Sequence, residues 1–96
     1  MFDKMKELME MKKQADRIKK ELDRATVEIT PVNGIKIVIN GSQNFQSIEI
    51  DESHIQPSNK GRFENDLLNS INRAIKESQS LAAEKMKSIM PGFPGA

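Results

Sequence analysis

The clearest pattern in this chain of 96 residues is an alternation of apolar and polar positions between Val27 and Asp51. Val27 and Ile29, then Ile35, Ile37 and Ile39, then Ile48 and Ile50 fall on one face of a pleated strand. Glu28, Thr30, Lys36, Ser47 and Glu49 take the other face, on which Val38 and Phe45 also fall, as apolar positions that would extend a contact with a second subunit. Asn33-Gly34 and Asn40-Gly41 interrupt the rhythm where tight turns would sit, since both residue types tolerate the positive φ of hairpin turns. The spacing predicts three short antiparallel strands over about 26–31, 35–40 and 45–51. Pro31, at the end of the first, fits an edge strand, where a missing N–H removes no ladder bond.

On either side the rhythm becomes helical. Leu8, Met11, Ala15, Ile18, Leu22 and Ala25 follow alternating spacings of three and four, the seam of a helix packed along another helix. The first helix is predicted over about 3–24, a rod about 33 Å long that outreaches a small sheet, so part of it should project. With Leu8 as heptad position a, Lys12 and Lys19 fall at e, Lys6, Lys13 and Lys20 at f, Arg17 and Arg24 at c, Glu7 and Glu21 at g, and Asp16 and Asp23 at b. One flank is basic and the other acidic, which on an ordinary helix is simply a solvated face with a few ion pairs. Residues 52–60 read as a loop. A second helix is predicted over about 62–90, with a wide stripe that includes Phe63, Leu67, Ile71, Ala74, Ile75, Leu81 and Ile89. Pro91 stops it, leaving 91–96 as a flexible tail beyond a single domain spanning 1–90. The fold class is α+β: a long N-terminal helix, a three-stranded antiparallel β-meander and a long C-terminal helix, expected as a dimer with projecting helical arms. Met1, Met5, Met9, Met11, Met86 and Met90 would then gather at the tip of an arm, where Met fills irregular gaps between fraying helices or makes a pliable binding surface.

Composition supports the dimer. A chain this short buries only a little over ~60% of its unfolded surface. With 36% hydrophobic and 30% charged residues, its core is thin and a second copy is the simplest partner. No apolar run approaches the roughly 20 residues of a membrane span, and the charged start is no signal peptide, so a cytoplasmic location and no membrane partner are expected. The net charge is only +1, but residues 1–25 hold eight Lys/Arg against six Asp/Glu, residues 26–57 one against four, and residues 58–96 six against four. The helices are the end that meets an anion.

Catalytic chemistry is hard to find. There is no cysteine, and His54 is the only histidine, with Asp51 and Glu52 nearby as a turn and solvated rim. No serine has the titratable partners of a triad, and no glycine run leads into a helix to cradle phosphate. An enzyme, a cofactor, a metal site and a small-molecule substrate are therefore not expected. The basic residues remain: Lys12, Lys13, Arg17, Lys19, Lys20 and Arg24 on the first helix, and Arg73, Lys76, Lys85 and Lys87 on the second. Such residues neutralise phosphates without reading sequence. No zinc finger, helix-turn-helix spacing or aromatic stacking motif accompanies them, so DNA binding through these positions would be weakly selective and strongly salt-dependent.

The order of features resembles one family. The Met-rich charged first helix, Ile37-Val38-Ile39-Asn40-Gly41, Ile48-Glu49-Ile50-Asp51, Asn72-Arg73-Ala74, Leu81-Ala82-Ala83-Glu84-Lys85-Met86 and the Pro91-Gly92-Phe93-Pro94-Gly95 tail together resemble the YbaB/EbfC family of small bacterial nucleoid-associated proteins, over nearly the whole chain. The resemblance implies a homodimer with paired helical arms that grip duplex DNA like tweezers, a nucleoid location, and a part in nucleoid organisation and gene regulation. The family's binding residues form no fixed motif, so the basic positions above come from this chain's own pattern. Two departures stand out: Pro31-Val32-Asn33-Gly34 is shorter than the family's glycine-richer turn, and Ser70 stands where a small Ala is common. The alternative function is a coiled-coil protein–protein interaction module that uses the acidic flank and the Met-rich tip, with no physiological DNA binding.

Overall fold

A computed structural model describes residues 2–89. The elements are α1 (Phe2–Arg24), β1 (Thr26–Val32), β2 (Ile35–Asn40), β3 (Phe45–Ile50), two short 3-10 turns at Glu52–His54 and Pro57–Asn59, and α2 (Lys60–Ile89). The helices and strands follow the predicted order, with α2 starting two residues early. Part of the expected loop is wound instead into the two 3-10 turns, the first capped by the Asp51 carboxylate, which accepts from the Ser53 N–H. The expected tail, Met1 and Met90 lie outside the described residues.

The strands form one antiparallel sheet in the order β1-β2-β3. In the middle of it, Ile37 pairs with Ile29 on one side and Ile48 on the other. Ile35, Ile37 and Ile39 are 0% exposed and, with Ala74 of α2, make the core. α2 lies across β1 and β2 and hardly touches β3. It can come close because the residues facing the sheet at four-residue intervals are small: Ser70, Ala74 and Ser78, all fully buried. Each buried hydroxyl is satisfied, Ser70 donating to the Asp66 carbonyl and Ser78 to the Asn40 carbonyl, both at 2.7 Å. Serine in place of the common alanine is thus accommodated at Ser70 by an ordinary bond to its own helix.

Two expectations need correction. Val38 pairs with Ser47 while Ile39 pairs with Phe45, so Gln46 is an extra residue in β3. This bulge reverses the alternation beyond it and puts Phe45 on the apolar face with Ile39, not on the polar face with Val38. The second turn also differs: the positive φ belongs to Gln43 (64°), whereas Gly41 has an ordinary φ and is needed for another reason. A Cβ there would stand 3.1 Å from both the carbonyl oxygen and a methyl of Leu22, so glycine permits the end of α1 to rest on the turn. Gly34 behaves as predicted, with φ 95°. His54 closes over it, its Nε2–H donating to the Asn33 carbonyl at 2.8 Å.

The corner at Asn40 joins three elements. Its side chain donates to the Asp23 carbonyl at the end of α1 and accepts from the N–H groups of Ser42 and Asn44, while its own carbonyl receives Ser78 of α2. The Gly41 N–H is shared between the carbonyls of Leu22 and Ala25. On the open face of the sheet Lys36 bridges Glu28 at 3.5 Å and Glu49 at 3.4 Å, and Glu28 first, then Glu49, hold its ammonium pKa above the ordinary lysine value. All three side chains are well exposed, so this arrangement steadies register more than it stabilises the fold. Replacing Asn40 with Ala should strand two turn N–H groups and one helix carbonyl, lowering stability by about 2 kcal/mol in urea unfolding. An unchanged midpoint would show that the corner holds without it.

Candidate nucleic-acid interface

Direction along the sheet decides where the arm lies. α2 begins beside the β1–β2 turn, where the Phe63 ring lies 6.4 Å from His54, and reaches the opposite end at Ser78, under Asn40. α1 terminates at that same end, through Leu22 and Asp23. The body of α1 and the last turns of α2 therefore leave the sheet together, running antiparallel, in a molecule measuring 67 × 19 × 17 Å. Ile18, Glu21 and Leu22 of α1 and Ala25 just after it are half-buried, as are Leu81, Ala82, Lys85 and Met86 of α2. From residue 3 to residue 17, α1 is exposed throughout.

The exposed arm carries the cations. At 100° per residue, Lys13, Arg17, Lys20 and Arg24 stand within a narrow arc of α1, directly opposite the seam of Leu8, Met11, Ala15, Ile18 and Leu22. All four are exposed, and they border two shallow surface clefts that run on from each other along the helix. Lys6, not among the expected contacts, continues the row, and the seven-residue spacing from Lys6 to Lys13 to Lys20 is the signal that marks it. Lys12 and Lys19, also exposed, flank the seam instead; Asp16 and Asp23 lie between them and the row, and Glu10 and Glu21 border the row on its other side. Among the described residues, the ion pairs are those of Lys36, Lys60 and Arg62, so no cation of the arm is held in one.

The four α2 cations expected from the sequence are divided. Arg73 and Lys76 are exposed and lie over the sheet, on the helix face turned away from it, while Lys87 continues the same face beyond the sheet. Lys85 is half-buried on the inward side. The structure thus brings the α1 cations into one row and sets Arg73 and Lys76 apart from them.

Besides Ile55, exposed between the two 3-10 turns, apolar surface is left over on the sheet and on the arm. On the sheet, Phe45 is 40% and Ile48 44% exposed although both lie on the core face, because α2 does not extend over β3; Leu68, on one flank of α2, is 57% exposed. On the arm, Met5, Leu8, Met9 and Met11 are all more than 60% exposed. The seam that α2 covers at Ile18 and Leu22 runs on uncovered through Met11 and Leu8.

His54 is engaged with the Asn33 carbonyl and stands beside Phe63, in a small cleft with Ser53, Asn59 and Arg62. Among the described residues no three His, Asp or Glu side chains converge on a point where a metal could be held. Nor is any helix of the described residues long and apolar enough to cross a membrane.

Comparison with known proteins places this geometry in context. Residues 1–93 match the sequence model of the YbaB/EbfC DNA-binding family. A nucleoid-associated protein of Moorella thermoacetica is 30% identical over 95 residues, covering 93% of this chain and 91% of that protein. One of Chloroflexus aggregans is 32% identical over 92 residues, covering 95% and 92%, and one of Pelotomaculum thermopropionicum is 31% identical over 83 residues, covering 85% and 79%.

Proposed function

This chain belongs to the YbaB/EbfC DNA-binding family, and from that premise we propose that it is a nucleoid-associated homodimer which grips duplex DNA through the exposed row of cations on α1. The observation that carries the reading is that row: Lys13, Arg17, Lys20 and Arg24 on one line, opposite the packing seam and free of ion pairs among the described residues, with Lys12 and Lys19 further round the same helix. Over 11 residues the row spans about 16 Å of helix, the axial length of four or five phosphates on one strand. Contacts of this kind position a protein on DNA and carry no sequence information, so preference among sequences is weak. A nucleoid location in the cytoplasm is supported by the names of the relatives, which are nucleoid-associated proteins, and a part in nucleoid organisation and gene regulation belongs to the same proposal.

The dimer is supported by the uncovered apolar surface. Phe45 and Ile48 lie on the core side of an edge strand and are 40% and 44% exposed, and Leu68, Ile75 and Met86 extend an apolar flank along α2. A second copy seated there would complete the sheet's apolar layer and set two arms side by side. Substituting Phe45→Lys and Ile48→Lys together should convert the dimer to monomer in light scattering, and a dimer that persists would place the interface elsewhere.

The exposed Met5, Leu8, Met9 and Met11 favour a second reading, a helical docking module for another protein. Salt separates the two. A grip on roughly six phosphates loses on the order of a thousandfold in affinity between 50 and 200 mM salt, whereas apolar docking hardly changes. Titration against a random-sequence duplex should show that steep loss. The same titration of a variant with Lys12, Lys13, Lys19 and Lys20 changed to Glu should show no binding, with the dimer intact. Unchanged affinity in that variant would remove α1 from the binding surface, and no binding by the wild type at low salt would put the docking module first.

A further inference from the structure

We propose that the outward face of α2 over the sheet is a second, separate surface for duplex DNA, so that one protein particle ties two DNA segments together. The inference rests on the reading of α1 as the first grip. Asn69, Asn72, Arg73 and Lys76 are exposed and, with the half-buried Glu77 at its border, line one shallow groove on the side of α2 opposite Ser70, Ala74 and Ser78. Asn65 extends the same stripe by a further turn.

From Leu67 to Lys76 the chain has no acidic residue, and among the described residues neither Arg73 nor Lys76 is in an ion pair. The stripe therefore offers two cations flanked by amides, with Glu77 at its border in no ion pair with either, a set of donors suited to phosphate oxygens. A merely solvated helix face would close the i,i+4 pair for which Arg73 and Glu77 are spaced. Just upstream, the same helix does carry such pairs, at Lys60–Glu64 and Arg62–Asp66.

The two basic faces point in opposite directions. The α1 row lies opposite the seam that meets α2, and the α2 stripe lies opposite the face that meets α1 and the sheet. They are thus on the two sides of a two-layer body only 17–19 Å thick. A straight duplex against the outer side of α1 cannot also touch the α2 stripe of the same protomer. A phosphate that the stripe meets is therefore not one held by the α1 row of its own protomer.

The test uses full-length protein carrying Arg73→Glu and Lys76→Glu, with helix content checked by circular dichroism. One duplex is fixed to beads and capture of a second, labelled duplex is measured, alongside the affinity for a single duplex in solution. Wild-type protein should capture the second duplex, and the variant should lose capture by about tenfold or more while single-duplex affinity stays within about twofold. Capture that survives in the variant overturns the inference, because it would come from the arms alone. Parallel loss of capture and single-duplex affinity overturns it too, since the stripe would then belong to the first grip. A wild type that binds one duplex and captures no second overturns it while leaving the α1 reading in place. A wild type that binds no duplex overturns both.

Discussion

Asn40 stands where α1, the β2–β3 turn and α2 meet, and the direction of the arm depends on the hydrogen bonds gathered there. A helix that leaves a three-stranded sheet has no core beneath it to fix its angle. Here the angle is fixed at its root: the Asn40 amide holds the Asp23 carbonyl, the Gly41 N–H is shared by Leu22 and Ala25, and Ser78 ties the same corner to α2. These groups are buried or nearly so, where an unmade bond costs about 1–3 kcal/mol, so the corner has one arrangement and not several. Gly41 is part of it, since a side chain would push Leu22 away. The row of cations from Lys13 to Arg24 inherits its orientation from this junction.

The thinness of the core explains the rest of the surface. Four residues, Ile35, Ile37, Ile39 and Ala74, make up the buried apolar cluster, and α2 is narrow enough to cover only two of the three strands. Phe45 and Ile48 are left uncovered, as is the seam of α1 past Ile18. A single protomer thus leaves apolar surface open both on the sheet and along the arm. Its charge is arranged to match: the acidic residues of the sheet segment are held on the open face around Lys36 or in the turns after β3, away from the exposed cations of α1.

The parts of this plan that follow from periodicity were legible in the chain. Isoleucines at alternate positions identify β2 and its face, and the heptad spacing from Leu8 to Ala25 identifies both the seam of α1 and the opposite row of cations. The bulge at Gln46 was not legible, because one inserted residue reverses the alternation without any mark in residue type, and Phe45 was accordingly assigned to the wrong face. Gly41 looks in sequence like any other turn glycine; its close approach to Leu22 is a tertiary fact. The division of the α2 cations became visible only once Ser70, Ala74 and Ser78 were known to face the sheet. In sequence, small polar residues do not announce a buried stripe as Leu or Ile do, so Arg73 and Lys76 could not be told apart in orientation from Lys85.

The central claim is that duplex DNA lies against the outer side of α1, and contact mapping tests it most directly. The chain has no cysteine, so a single thiol can be introduced by Lys13→Cys and fitted with a short photoactivatable cross-linker, with Gln46→Cys at the exposed edge of β3 treated in the same way. The account predicts that irradiation with a bound duplex joins protein to DNA from position 13 and not from position 46. Cross-linking from position 46 with none from position 13 would mean that DNA meets the sheet and that the arm serves some other partner.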